Sequence, residues 1–78
     1  MIYLAVTSNR IFINDMFNEV VYDMEGLCYE EYNETPPSFQ DWKKGFSIHP
    51  CFFEFPDINI DITNWEEVKK IIPPELFL

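Results

Sequence analysis

Three carboxylates, Asp15, Glu19 and Asp23, recur every fourth residue. If this segment is helical, that spacing lines them up as a single stripe, with neighbours about 6 Å apart along the axis. Like charges at i,i+4 oppose helix formation by about 0.2–0.5 kcal/mol per pair, and no lysine or arginine lies between residues 11 and 42 to relieve them. Such a stripe is either a solvated face, with Asp15 favouring the N-terminal dipole, or an anionic recognition surface for cations. A second group extends the run: Glu30, Glu31 and Glu34 are interleaved with Tyr29 and Tyr32. Tyrosine rings can lie under guanidinium groups while carboxylates pair with the same cations. The expected partner-binding residues are therefore Asp15, Glu19, Asp23, Tyr29, Glu30, Glu31, Tyr32 and Glu34.

Other reactive residue types lead to weaker chemistry. Asp57-x-Asn59-x-Asp61 begins like an EF-hand loop, but its sixth position is Ile62 and its twelfth Val68, where the loop needs Gly and Glu. The three N/S side chains His49, Cys51 and Cys28 lack any zinc-ligand spacing and read as a turn histidine and buried cysteines. Catalysis by a Cys-His pair needs a cleft, an orienting group and an oxyanion hole. A 78-residue chain with 2 glycines offers no frame for these. The expectation is a protein that is not an enzyme and holds neither cofactor nor metal.

Composition narrows the classes further. Fourteen acids and 5 bases give a net charge of −9, which excludes direct phosphate binding through clustered Lys and Arg. A hydrophobic fraction of 47% and an aromatic fraction of 18% exclude a disordered acidic tail. The charge is uneven, because residues 11–42 hold 8 acids and no base. The final predicted helix, by contrast, sets Glu66 and Glu67 against Lys69 and Lys70 at i,i+3 and i,i+4. Two cysteines are few for a secreted domain of this size. The N-terminus lacks a basic n-region and a cleavage site, and no apolar run approaches the ~20 residues of a membrane helix. A cytoplasmic protein with free thiols is expected, and Asn33-Glu34-Thr35 is then a chance glycosylation sequon.

These residues need elements to position them. Residues 1–6 predict a buried strand, the turn-rich 7–10 a hairpin, and 11–13 its return. Asn14 or Asp15 as N-cap, apolar residues at 16, 17, 20, 21 and 24, and Gly26 as C′ residue predict a helix over about 15–25. Residues 27–34 fit a strand or an irregular segment, ended by Pro36-Pro37. Ser38 with Asp41 caps a short helix that stops at Gly45. Residues 46–55 predict one or two strands. Alternation over 57–62 predicts a strand with Ile58, Ile60 and Ile62 inward. Thr63 with Glu66 forms a capping box for a helix to about Ile72, ended by Pro73-Pro74. The fold class is a single α+β domain over 1–78, with a three- to four-stranded, mainly antiparallel sheet and two to three short helices on one face.

In size and charge the chain is similar to the short acidic proteins that phages direct against host nucleases, including anti-CRISPR proteins and DNA mimics. The resemblance implies an inhibitor that docks on a basic, nucleic-acid-binding surface of a partner protein in the cytoplasm of a bacterial host. An immunity protein or antitoxin that neutralises a basic toxin nuclease shares the same physics. An adaptor or structural subunit is the third reading, with Phe39, Trp42, Phe52, Phe53, Phe55 and Phe77 as an apolar interface. A homodimer would use residues 46–56 or the tail Leu76-Phe77-Leu78, away from the acids.

Overall fold

A computed structural model describes residues 1–32, 38–47 and 49–77. The sheet contains β1 (Ile2–Val6), β2 (Arg10–Asn14), β3 (Glu19–Asp23), β4 (Cys28–Tyr32) and β5 (Cys51–Phe55). Two helices, α1 (Phe39–Lys44) and α2 (Trp65–Ile71), and a 3-10 turn at Pro74–Phe77 complete the described elements. The sheet has 5 strands in the order β4-β3-β2-β1-β5, all neighbours antiparallel. The α+β class and the first hairpin match the sequence expectation, while the strand number exceeds it.

β1 explains the layering. All five of its residues, Ile2-Tyr3-Leu4-Ala5-Val6, are buried, so both faces of the sheet need a cover. Ile2, Leu4 and Val6 join Ile11, Ile13, Val20 and Tyr22 in one core, closed by Val68 and Ile72 at α2. Tyr3 and Ala5 face the other way and pack with Trp42 of α1, with Phe12, Phe39, Phe46 and Phe52 around them. The helices therefore lie on opposite faces, which corrects the expectation of helices on one face. Each fully buried Ile, Leu or Val contributes about 1.5–3 kcal/mol, so the core on either side of β1 is the main stabilising term.

The predicted helix over 15–25 is not formed. Residues 15–18 are a turn and residues 19–23 are β3. Val20, Val21 and Tyr22 are consecutive and all buried, because β3 is an inner strand covered on both sides. A strand of that kind has no polar alternate positions, and its apolar run imitates helical spacing. The side chain read as an N-cap instead closes the turn: Asp15 Oδ1 accepts from the backbone N–H of Phe17 at 2.9 Å and of Asn18 at 2.7 Å. Gly26 does adopt a left-handed φ of 90°, but within the β3–β4 hairpin. A Cβ there would also collide with the Trp65 indole.

The remaining expectations divide. Ser38 Oγ accepts from Asp41 N at 3.2 Å as the cap of α1. Asn64, not Thr63, caps α2, since Asp61 Oδ1 already engages the Thr63 hydroxyl at 2.6 Å and its N–H at 3.0 Å. Residues 57–62 form no strand, yet Ile62 is buried and Ile58 and Ile60 pack against the α2-side core. The alternation there records burial without a ladder. Ile48 and residues 33–37, including Glu34 and the sequon, lie outside the described residues.

Candidate functional site

Of the acids in residues 15–31, all but Asp15 lie in the β3–β4 hairpin, and the ladder decides where its strand residues point. Glu19 pairs with Tyr32, Val20 with Glu31, and Val21 with Glu30, with an irregularity after Val21. Directly paired residues share a face. Glu19 and Glu30 therefore lie on the α1 face, and Glu31 lies on the α2 face beside Val20. Glu30 and Glu31 are both exposed, so the outermost strand presents a carboxylate to either side of the sheet edge. The lysines Lys43, Lys44, Lys69 and Lys70 lie on the two helices, away from this hairpin. Lys44 pairs with Asp41 at 3.7 Å and Lys69 with Glu66 at 3.5 Å, each within its own helix.

The helical stripe of Asp15, Glu19 and Asp23 is thereby replaced by three carboxylates with separate structural roles. Asp15 holds the β2–β3 turn. Asp23 Oδ1 accepts from Glu25 N at 2.8 Å and Leu27 N at 3.0 Å, closing the β3–β4 turn. Glu19 reaches inward, where its Oε1 accepts from Trp42 Nε1 at 2.7 Å. Burial pushes the Glu19 carboxyl above its ordinary range; the Trp42 hydrogen bond opposes this and the Glu30 charge adds to it. Glu19 thus ties β3 to α1 more than it offers itself to solvent. Asp23 stands opposite Arg10 in the β2–β3 register.

On the other face, Tyr22 is buried and donates to the Ile62 carbonyl at 2.6 Å. Desolvation, with the Cys28, Asp61 and Glu31 charges behind it, pushes its hydroxyl up to about 12. The Cys28 thiol is also pushed up, first by desolvation and then by Glu31, which opposes thiolate chemistry. Cys28 and Cys51 are exposed, contrary to the expectation of buried cysteines, and they occupy opposite edges of the sheet. Among the described residues no group of three His, Cys, Asp or Glu side chains is placed to hold a metal ion, and no helix is long and apolar enough to cross a membrane.

The aromatic residues expected at an apolar interface mostly face inward. Trp42 contacts Tyr3, Phe39, Phe46 and Phe52, with ring centroids 5.1–6.2 Å apart. Phe53 and Phe55 pack on the α2-side core. Among the described residues the exposed large apolar side chains are instead Met1, Met16, Phe17 and Leu27, with Phe17 76% exposed. The Tyr3 hydroxyl touches both Met1 Sδ at 2.8 Å and Met16 Sδ at 3.1 Å, so Met1, Met16 and Phe17 share one end of the sheet. Helical periodicity would have buried Met16 and Phe17. The signal for their exposure is the bracket of turn formers, Asn14-Asp15 before and Asn18 after. Asn14 shares this end: it is buried, its Oδ1 accepts from Met16 N at 2.7 Å, and its Nδ2 makes no hydrogen bond.

The chain matches no protein-family model, no curated protein and no solved structure.

Proposed function

We propose that the protein is a small acidic binding protein whose β3–β4 hairpin docks into a basic, nucleic-acid-binding cleft of a partner protein, in the manner of an anti-CRISPR or DNA-mimic inhibitor. The observation that carries this reading is the split of Glu30 and Glu31 over the two faces of an edge strand. A strand edge with carboxylates on both sides suits a groove lined by cations on both walls, as a phosphate-binding cleft is. Residues 11–42 supply no cation of their own, so the local field stays negative and steers a basic partner. An immunity protein for a basic toxin nuclease would use the same edge. The compartment implied is the cytoplasm.

A second reading, an adaptor docking through apolar contacts, is favoured by Met1, Met16 and Phe17 at one end of the sheet. One experiment separates the two. The immobilised chain is used to capture protein from a bacterial lysate at low salt, in parallel with Glu30→Lys/Glu31→Lys and with Phe17→Ser. The inhibitor reading expects a basic nucleic-acid-binding protein that elutes in a salt gradient, is lost with the double charge reversal and is kept with Phe17→Ser. Capture that survives salt and charge reversal but fails with Phe17→Ser overturns it in favour of the adaptor.

A further inference from the structure

The two sheet edges are protected unequally. An edge strand exposes unpaired N–H and C=O groups and invites another strand unless charge, proline or a bulge prevents it. β4 is irregular in its pairing and carries Glu30 and Glu31. β5, at the opposite edge, reads Cys51-Phe52-Phe53-Glu54-Phe55, with Glu54 its one charged residue. Pro50 and Pro56 flank it, which limits pairing to this stretch and disfavours a longer, open-ended ladder.

We infer that β5 is the interface between two copies of this chain, joined edge to edge as antiparallel strands about a twofold axis at Phe53 into one continuous sheet. The register follows from symmetry. Opposed residues in an antiparallel pair share a face, so the sequence numbers of opposed residues must sum to an even number. Centring on Phe53 is the choice that pairs all five residues of β5. It places Phe53 against Phe53 of the second copy, Cys51 against Phe55, and Phe52 against Glu54. Centring on Glu54 instead would oppose two like charges.

Charge complementarity selects the same arrangement. Phe52 and Glu54 share the α1 face, where Tyr3 pairs with Glu54 and Ala5 with Phe52. On that face Lys43 Nζ sits 5.7 Å from the Phe52 ring centroid and 4.6 Å from that of Phe39. A Glu54 carboxylate opposite Phe52 therefore meets the Lys43 ammonium, and the twofold axis makes this contact twice. The acidic β4 edges are left at the two outer ends of the joined sheet. With strands about 4.8 Å apart, they are separated by several times the ~8 Å screening length of physiological salt. The negative charge of each copy thus does not oppose this contact as it would one through the hairpin.

The test is sedimentation velocity of the intact chain over a wide concentration range, with reductant present because Cys28 and Cys51 are exposed. A reversible dimer is expected. Lys43→Glu and Glu54→Lys are each expected to weaken it about tenfold, as two symmetric surface pairs turn from attraction to repulsion, and the double variant is expected to restore it. Glu54→Lys discriminates most sharply. It lowers the net negative charge, so association governed by overall repulsion would tighten where the proposed register requires weakening. Circular dichroism checks that each variant is folded. A monomer at every concentration, a dimer indifferent to both substitutions, or a dimer tightened by Glu54→Lys would overturn the inference. None of these outcomes bears on partner binding through β3–β4.

Discussion

At one edge of the sheet, β4 sends Glu30 to the α1 face and Glu31 to the α2 face, with Glu19 and Asp23 on the strand behind. At the other edge, β5 sets a single carboxylate among three phenylalanines, beside a helix whose last turn is Lys43-Lys44. Both strands have five residues and one antiparallel neighbour. They differ in what would approach them. On the two proposals above, a second strand of the same kind would be repelled at β4 and tolerated at β5, whereas a surface rich in lysine and arginine would be drawn to β4. Edge exposure is a property of the topology, but the chemistry of the edge is set by a few side chains, and here it is set oppositely at the two ends.

The comparison is broken most strongly at Gly26. A Cβ there combines a left-handed backbone with overlap of the Trp65 indole, so Gly26→Ala is expected to cost about 2–4 kcal/mol, read by urea unfolding. Hydrogen exchange should show β4 amides losing protection before those of β1. Equal loss throughout would mean that the two edges are not separable.

Glu19 is next. Glu19→Ala leaves the Trp42 indole N–H without its acceptor and is expected to cost about 1–3 kcal/mol. Glu19→Gln retains an acceptor oxygen and removes a charge that burial disfavours, so it should equal or exceed the wild type in stability at pH 7. The sign follows from linkage. A carboxyl raised in the folded state binds protons more tightly there, so its contribution to stability is full below the ordinary value of 4.5 and is lost as pH rises through the raised value. The gap between wild type and Glu19→Gln should therefore close as pH falls through that window. Thermal unfolding of the two across mildly acidic pH checks it, and a gap that stays constant would contradict the cause assigned here.

Tyr22→Phe removes the donor to the Ile62 carbonyl and is expected to cost about 1 kcal/mol, somewhat more if that carbonyl finds no water. Smallest are the surface changes. Glu30→Lys/Glu31→Lys and Phe17→Ser should each alter stability by no more than about 0.5 kcal/mol, so any effect they have on binding reports the surface and not the fold.

Much of this arrangement was legible in the residues, and the misses share one cause. The opening hairpin, the Ser38 cap and the helix before Pro73-Pro74 follow from local signals that tertiary packing leaves alone. The β3 segment does not, because side-chain periodicity distinguishes helix from strand only when one face is wet, and Val20-Val21-Tyr22 is dry on both. Asn14, Asp15 and Gly26 added to the error, since a side chain that accepts from the following amides and a glycine with positive φ serve a hairpin turn as well as a helix end. Residues 57–62 show the converse: Ile58, Ile60 and Ile62 alternate as a strand would, but among the described residues no strand pairs with them. The acidic character of residues 11–42 was plain from composition. Its geometry was not, because the ladder, and not helical spacing, sends Glu19 inward to Trp42 and leaves Glu30 and Glu31 outside.

The central claim is that carboxylates at the β3–β4 edge dock onto cations of a partner. The most direct measurement is the affinity of the captured partner for the wild type and for Glu30→Lys/Glu31→Lys, titrated from roughly 0.05 to 0.5 M salt. The account predicts that wild-type affinity falls steeply with salt, and that the variant binds far more weakly at low salt with a flattened salt dependence. An affinity that is the same for both proteins and indifferent to ionic strength would contradict it.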